Sequence, residues 1–312
     1  MKRQIKSIIL LVVLMLTLTG CARNLRDAEG VPVINPETGQ RLPANILCRP
    51  TEQDLLDLYE KHAAELEFSM EDLPRCENMK LYDSTTYSGL WNQIFVIPLA
   101  WYIVRVALLV GNFGIAVMLV GLMIRVIMTP LSLKTMKQSQ NMKKAQADLA
   151  GLEKKYKDKK DNESMMKKSQ EMMMIYKKHN VSPISSCLNS FLQLPIFLAF
   201  LAAINRTPAI FEETLWSFQL GTTPWVGIQS GNYLYILLIA LIIGTTYLSF
   251  KFNMNTMGNQ DQQKQMKFML NFMLVFISIA SFSLPTAIAL YWITTNGFNV
   301  VQNLIIKKWG KK

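Results

Sequence analysis

The sequence predicts an all-α, polytopic membrane protein: five transmembrane helices around a hydrophilic groove open to the cytoplasm, with a cytoplasmic helical hairpin. Three observations predict it. First, half of the 312 residues are hydrophobic, mean hydropathy is +0.18, and the apolar residues gather in long runs rather than spreading as in a soluble domain. Second, the net charge of +11 is polarised: residues 22–92 hold seven basic and thirteen acidic residues, whereas 134–178 hold thirteen lysines and six acidic residues. That asymmetry follows the positive-inside rule and argues against a nucleic-acid footprint. Third, uncharged polar residues recur at helical spacing in the same half of several apolar runs.

The chain opens MKRQIKSIILLVVLMLTLTGCARN. Three basic residues, a short apolar core and Leu18-Thr19-Gly20-Cys21 read as a lipoprotein signal peptide over 1–20, with Cys21 the lipidated residue. The core is too short for an ordinary first span. An extracytoplasmic acidic segment follows over 21–90. Its 22–50 stretch, rich in Pro, Gly, Asn and Arg, has no helical period and reads as an extended linker. Residues 51–72 set Leu55, Leu58, Tyr59, His62 and Leu66 on one helical face behind a Thr cap. His62 is expected to pack rather than bind metal, and no metal site is expected anywhere. Cys48 and Cys76 both fall in this segment, where an oxidising setting permits a disulfide that spacing alone does not establish. Cys187 sits in an apolar run and reads as a small hydrophobe.

From Trp91 to Thr129 the chain is almost continuously apolar, about twice the length a bilayer needs. Gly111-Asn112-Phe113-Gly114 splits it. Residues 91–110, with Trp91, Trp101, Tyr102 and Arg105, read as an interfacial amphipathic helix, and 113–133 as the first span. Residues 134–180, rich in Lys and Met, read as a cytoplasmic hairpin broken near KYKDKKDNES. Internal packing is the favoured role for most of its methionines: Met136, Met142, Met165, Met166, Met172, Met173 and Met174. An adaptable partner surface is the other reading. Further spans are expected at 184–204, 233–250, 268–284 and 286–306, the last two separated by Leu284-Pro285-Thr286. An extracytoplasmic loop spans 205–232, with Arg206 against Glu212 and Glu213. A basic cytoplasmic loop covers 251–267, and a basic tail covers 307–312. The lysines place the lipid-anchored N-terminus outside a bacterial plasma membrane and the C-terminus in the cytoplasm.

Arg125 interrupts GLMIRVIMTP in the first span. A charge at the bilayer centre costs about 2.5–3.5 kcal/mol on insertion scales. At nine residues from Lys134 its Cα stands about 14 Å from the cytoplasmic end, more than snorkelling covers. It therefore needs water or partners. Ser186, Asn189 and Gln193 share a face of 184–204; Trp292, Thr295, Asn296 and Asn299 share one of 286–306; Thr245, Thr246 and Ser249 fall in the same half of 233–250. Taken singly such residues glue helices together. Taken jointly around an arginine, with no Asp or Glu in any span, they point to a hydrated cavity awaiting an acidic client segment. No Walker A loop, zinc-binding helix or catalytic triad is present, so no enzyme activity and no cofactor are expected. Two other functions fit an intramembrane arginine: a small-solute or anion transporter, and a chaperone that packs subunits without inserting them.

Three ordered blocks now match a known family: GNFGIAVMLVGLMIRVIMTPL, KKYKDKKDNESMMKKSQEMMMIYKKHNVSPISSCLNSFLQLPIF and SLPTAIALYWITTNGFNVVQNLI. Over about residues 88–308 the chain resembles the YidC/Oxa/Alb membrane protein insertases, and its lipobox resembles the five-span type of Gram-positive bacteria. The resemblance implies that Arg125 is the groove arginine, Gln193 a groove-lining glutamine and Trp292 a groove tryptophan. It further implies insertion and chaperoning of new membrane proteins without nucleotide hydrolysis. The implied partners are nascent membrane proteins, the lipid bilayer, the ribosome and the Sec translocon, with no small-molecule substrate. The chain departs from many relatives in having Asn189 where they carry Pro, and in the shortness of its tail after Lys307.

Overall fold

The computed structural model describes residues 23–66, 68–81, 89–157, 161–181, 195–254 and 260–309. The chain divides into two units: one made of 1–123, 194–242 and 278–295, the other of 124–193, 243–277 and 296–312. The signal segment and Cys21 lie outside the described residues.

In the first unit the stretch expected to be an extended linker is folded. Asp27 Oδ1 accepts from the backbone N–H groups of Glu29 and Val31, and Asn35 Oδ1 accepts from those of Glu37 and Thr38. Each Asx turn ends at a glycine with positive φ, Gly30 at 80° and Gly39 at 70°. The chain thus doubles back twice through antiparallel bridges Asn24–Pro43, Arg26–Pro32 and Ile34–Arg41. This points Leu25, Val33 and Leu42 into a core with Leu55, Leu56, Tyr59, Met70 and Leu73. Gly39 is also a close approach, since a Cβ there would sit 2.5 Å from Val226 Cγ2.

Helix α1 (Gln53–Lys61) is shorter than the expected 51–72, giving way after His62 to single 3-10 turns at Ala63–Glu65 and Met70–Asp72. Leu55, Leu56 and Tyr59 are buried, and the His62 ring lies 2.9 Å from the Leu58 carbonyl. The Thr cap does not form. Instead the carboxylate of Glu212, far along the chain, accepts from the N–H groups of Thr51 (2.6 Å) and Glu52 (3.2 Å). Burial, then the neighbouring carboxylates of Glu212, Glu37 and Asp54, holds the Glu52 carboxyl above its usual range. Cys48 and Cys76 are joined in a disulfide, with 4.8 Å between their Cα atoms.

A π-helical turn (Asn92–Val96) leads into α2 (Ile97–Val110), which ends at Gly111 with φ of 75°. A left-handed cap of this kind is where glycine is favoured. Asn112 Oδ1 then caps α3 by accepting from Ile115 N–H, and Glu213 Oε2 accepts from Phe113 N–H at 2.7 Å. Helix α3 (Phe113–Lys155) is one continuous helix of 43 residues, about 64 Å long, so the expected first span and first hairpin arm are a single element.

After α5 (Pro195–Asn205) the chain crosses a 3-10 turn and a two-stranded hairpin, β1 (Thr214–Leu215) with β2 (Phe218–Gln219). Then come α6 (Pro224–Gln229), α7 (Leu234–Met254), α8 (Gln260–Ala280) and α9 (Thr286–Trp309). Among the described residues three helical stretches are long and apolar enough to cross a membrane: Asn92–Val110, Phe113–Lys134 and Leu234–Phe252. The first of these covers the segment expected to lie along the interface. Pro195–Asn205 and Leu270–Ala280 are shorter apolar helices.

Arg206, at 1% exposure, ties the first unit together. Its Nε donates to the Asn45 carbonyl at 2.6 Å, its Nη1 donates to Asn92 Oδ1 at 2.8 Å, and its own carbonyl accepts from Leu47 N–H at 2.7 Å. Arg105 Nη2 adds a bond to the Met79 carbonyl at 3.3 Å, with its guanidinium over the Trp101 ring.

In the second unit the end of α3 packs against α4 (Asn162–Lys178) through Met142, Ala145, Leu149, Tyr176 and Val181. Asp161 caps α4 by accepting from Ser164 N–H. Glu171 receives Lys155 Nζ at 2.6 Å and the Tyr156 hydroxyl at 2.9 Å; Asp148 receives Lys178 Nζ at 2.9 Å and lies 2.9 Å from His179 Nε2. Hydrogen bonds from His179 and Lys178, then the Lys178 charge, hold the Asp148 carboxyl below its usual range. Met142 is buried and Met172 packs on the same core, but Met165, Met166, Met173 and Met174 are exposed. Internal packing is thus not the role of these four. They fall outside the seam because α4 is only half covered.

Two outcomes follow. Arg206→Lys keeps the charge but cannot reach both acceptors at once, and should cost about 2 kcal/mol, read as earlier thermal unfolding and faster proteolysis within 23–81. Because the folded-state pKa of Asp148 is lowered, its contribution is complete above the ordinary carboxylate pKa of about 3.9 and lost as pH falls through the lowered value. Amide-exchange protection of 142–181 should therefore fall with acid in the native protein, and Asp148→Asn should reduce that dependence, leaving the part due to Glu171.

Candidate functional site

Arg125 lies on α3 in the second unit, half-buried. One turn on, Thr129 Oγ1 donates to the Arg125 carbonyl at 3.0 Å and accepts from Gln302 Nε2 of α9 at 3.3 Å. Ser132 Oγ likewise donates back to the Met128 carbonyl. Pro130 stands inside the helix, where it lacks the N–H that would continue the ladder, and these hydroxyls flank it.

On α9, Asn299 Nδ2 donates to Ser249 Oγ of α7 at 3.2 Å, and Asn303 Nδ2 donates to the Asn299 carbonyl at 2.8 Å. Ser249 and Thr246 of α7 are buried, while Asn296 and Asn299 are half-buried. Asn299 and Ser249, both read as part of a hydrated face, therefore make an interhelical hydrogen bond, and Gln302 makes a second one to Thr129. Each helps hold α9, one against α7 and one against α3. Short polar side chains spaced by three and four make this possible, because they stay on one stripe of α9 for more than two turns.

Trp292 and Thr295 belong to the first unit. The Trp292 ring meets Phe197 of α5 edge-on at 5.0 Å, and Tyr291 stacks on Phe200 at 4.0 Å. Thr295 is 3% exposed, and its hydroxyl donates to the Tyr291 carbonyl at 2.8 Å, so it is satisfied by its own helix. Gly121 of α3 lets α9 approach: a Cβ there would fall 2.9 Å from Tyr291 Cδ2 and 3.3 Å from Thr295 Cγ2. Ser186, Asn189 and Gln193 lie outside the described residues.

Sequence reasoning missed Arg206 and the two caps it precedes. Arg206, Glu212 and Glu213 looked like loop charges. Their partners are 100 or more residues away, and no local pattern reports such pairs. Among the described residues no group of three His, Cys, Asp or Glu could hold a metal ion.

Helical stretches long and apolar enough to cross a membrane, one of them carrying an arginine, and helices bonded to one another through uncharged polar side chains define a polytopic membrane protein. The model of the 60Kd inner membrane protein family matches residues 105–312. The chain is 37% identical over 225 residues to the membrane protein insertase YidC of Oceanobacillus iheyensis, covering 70% of this chain and 84% of the relative. It is 37% identical over 221 residues to membrane protein insertase YidC 2 of Bacillus anthracis (70% and 82%). It is 32% identical over 236 residues to membrane protein insertase MisCA of Bacillus subtilis (75% and 86%). The chain belongs to the YidC/Oxa/Alb family and is a bacterial multi-pass membrane protein.

The interhelical bond between Asn299 and Ser249 is measurable. A double-mutant cycle with Asn299→Ala and Ser249→Ala should give a coupling of about 0.6 kcal/mol in detergent or bicelle unfolding, the usual value for such pairs.

Proposed function

We propose that this protein inserts newly made membrane proteins and helps them fold, using Arg125 as the counter-charge for acidic client segments. The observation that carries the reading is the half-buried guanidinium of Arg125 within an apolar stretch of α3, in a chain whose relatives are named membrane protein insertases. The span has no carboxylate of its own. A client's acidic tail supplies one, and the pairing lowers the cost of bringing that tail to membrane depth.

In this reading five spans enclose a groove open to the cytoplasm, lined by Arg125, Ser186, Asn189, Gln193, Trp292, Asn296 and Asn299. Water in the groove shortens the apolar barrier. Burial of the client's apolar segment then drives transfer at about 25 cal/mol per Å² without nucleotide hydrolysis. Cys21 carries the lipid anchor outside. The hairpin, with its exposed methionines and lysines, receives clients, and ribosome and Sec translocon are partners on that route.

Reconstitution tests this. Liposomes holding the protein should shield a newly made single-span client with an acidic tail from added protease. Arg125→Ala should lower that protected fraction about tenfold or more, and Arg125→Lys should retain most of it. Full insertion by the Ala variant would remove Arg125 from the mechanism for that client. Solute flux without client protection would favour a transporter.

A further inference from the structure

A cavity of about 480 Å³ lies in the first unit, where the acidic subdomain meets the turn between α2 and α3. That is within the usual range for small-molecule pockets. Its charged lining is Arg49, Arg75 and Glu77; its apolar wall includes Leu56, Val104, Leu108 and Phe113. The two arginines are not independent. Arg49 and Arg75 form a parallel backbone bridge, with Arg49 N–H donating to the Pro74 carbonyl at 2.9 Å. The Cys48–Cys76 disulfide joins the residue before one to the residue after the other.

Like charges set side by side on paired strands repel. Here a covalent link keeps their backbones together. Glu77 offsets little, since it meets Arg75 at 3.8 Å with both side chains more than half exposed. The Arg49 guanidinium has no hydrogen-bond or ion-pair partner among the described residues. An anion between the two would relieve the repulsion. The apolar wall adds a second requirement that a bare anion does not meet. Leu108 lies in the last turn of one helical stretch and Phe113 begins another, both long and apolar enough to cross a membrane, and Leu108 and Leu109 beside the cavity are exposed.

We infer that this cavity binds an anionic phospholipid, with its phosphodiester between Arg49 and Arg75 and the start of an acyl chain along Leu56, Val104, Leu108 and Phe113. The inference rests on the proposed orientation only in assigning the lipid to the outer leaflet. The site then fastens the acidic subdomain to the bilayer surface beside the start of α3, by a second contact independent of any lipid on Cys21.

The test uses the full chain in detergent, titrated with phosphatidylglycerol or phosphatidylcholine and read by native mass spectrometry. Phosphatidylglycerol should bind preferentially, and Arg49→Gln or Arg75→Gln should weaken it about tenfold, as expected for losing one charge-assisted contact. Phosphatidylcholine, whose choline cancels the phosphate charge, should bind more weakly and change less. Arg75 is 78% exposed, so Arg75→Gln keeps the fold and carries the test if Arg49→Gln does not. Equal binding of the two lipids, or unchanged phosphatidylglycerol affinity in Arg75→Gln, would overturn the inference. So would complete displacement by inorganic phosphate, which would mark a free-anion site. Cleavage of residues 23–81 by protease added outside intact cells reads the orientation separately, so failure of that reading is distinguishable.

Discussion

A guanidinium cannot shed its charge, so a buried arginine obliges the fold to supply acceptors. Arg206 is that constraint here. Its acceptors come from Asn45 in the acidic subdomain and Asn92 at the head of α2, two segments that it joins at the end of α5. Such a charge does little for net stability, because desolvation offsets most of the attraction. What it fixes is arrangement: with Arg206 unpaired the alternatives are too costly to populate. The Arg105 bond to Met79 and the Thr223 bond to Thr38 then secure the same subdomain from two further directions.

The second unit solves a related problem with neutral groups. Apolar side chains give helices little reason to associate in lipid, since hydrocarbon satisfies them equally well. Asn299, Ser249, Gln302 and Thr129 supply direction in that setting, and Thr129 also bonds the Arg125 carbonyl. The exposed methionines of α4 stand apart from this: α4 is held by Asp148 and Glu171 on its flanks, leaving one apolar stripe uncovered.

Much of the helical framework was legible, because it is written in local patterns. Apolar runs mark α3 and α7, Gly111 marks the break before α3, and Asp161 marks the start of α4. The folded 23–50 stretch was misread as a linker although its signals were present: Asp27 to Gly30 and Asn35 to Gly39 are turn sequences, with apolar residues between them at sheet-like intervals. Helix periodicity was simply the wrong template. The caps by Glu212 and Glu213 and the anchoring by Arg206 could not be seen, since each depends on chain segments brought together only by folding. Of the expected groove, Arg125, Asn296, Asn299 and Trp292 take defined places. Thr295 turns its hydroxyl onto its own helix, a choice that spacing does not reveal.

Glu212 and Glu213 are consecutive, yet one holds the start of α1 and the other the start of α3. A single peptide plane therefore acts as a two-pronged bracket, setting the offset between those helix starts to within the reach of two short side chains. An insertion of even one residue at this point would force the chain to release one prong, whereas at the neighbouring hairpin tip, where Trp216 is exposed, it would cost only the Asn232 bond to the Ser217 carbonyl. Evolutionary drift in loop length should accordingly be channelled to the tip and barred from the bracket.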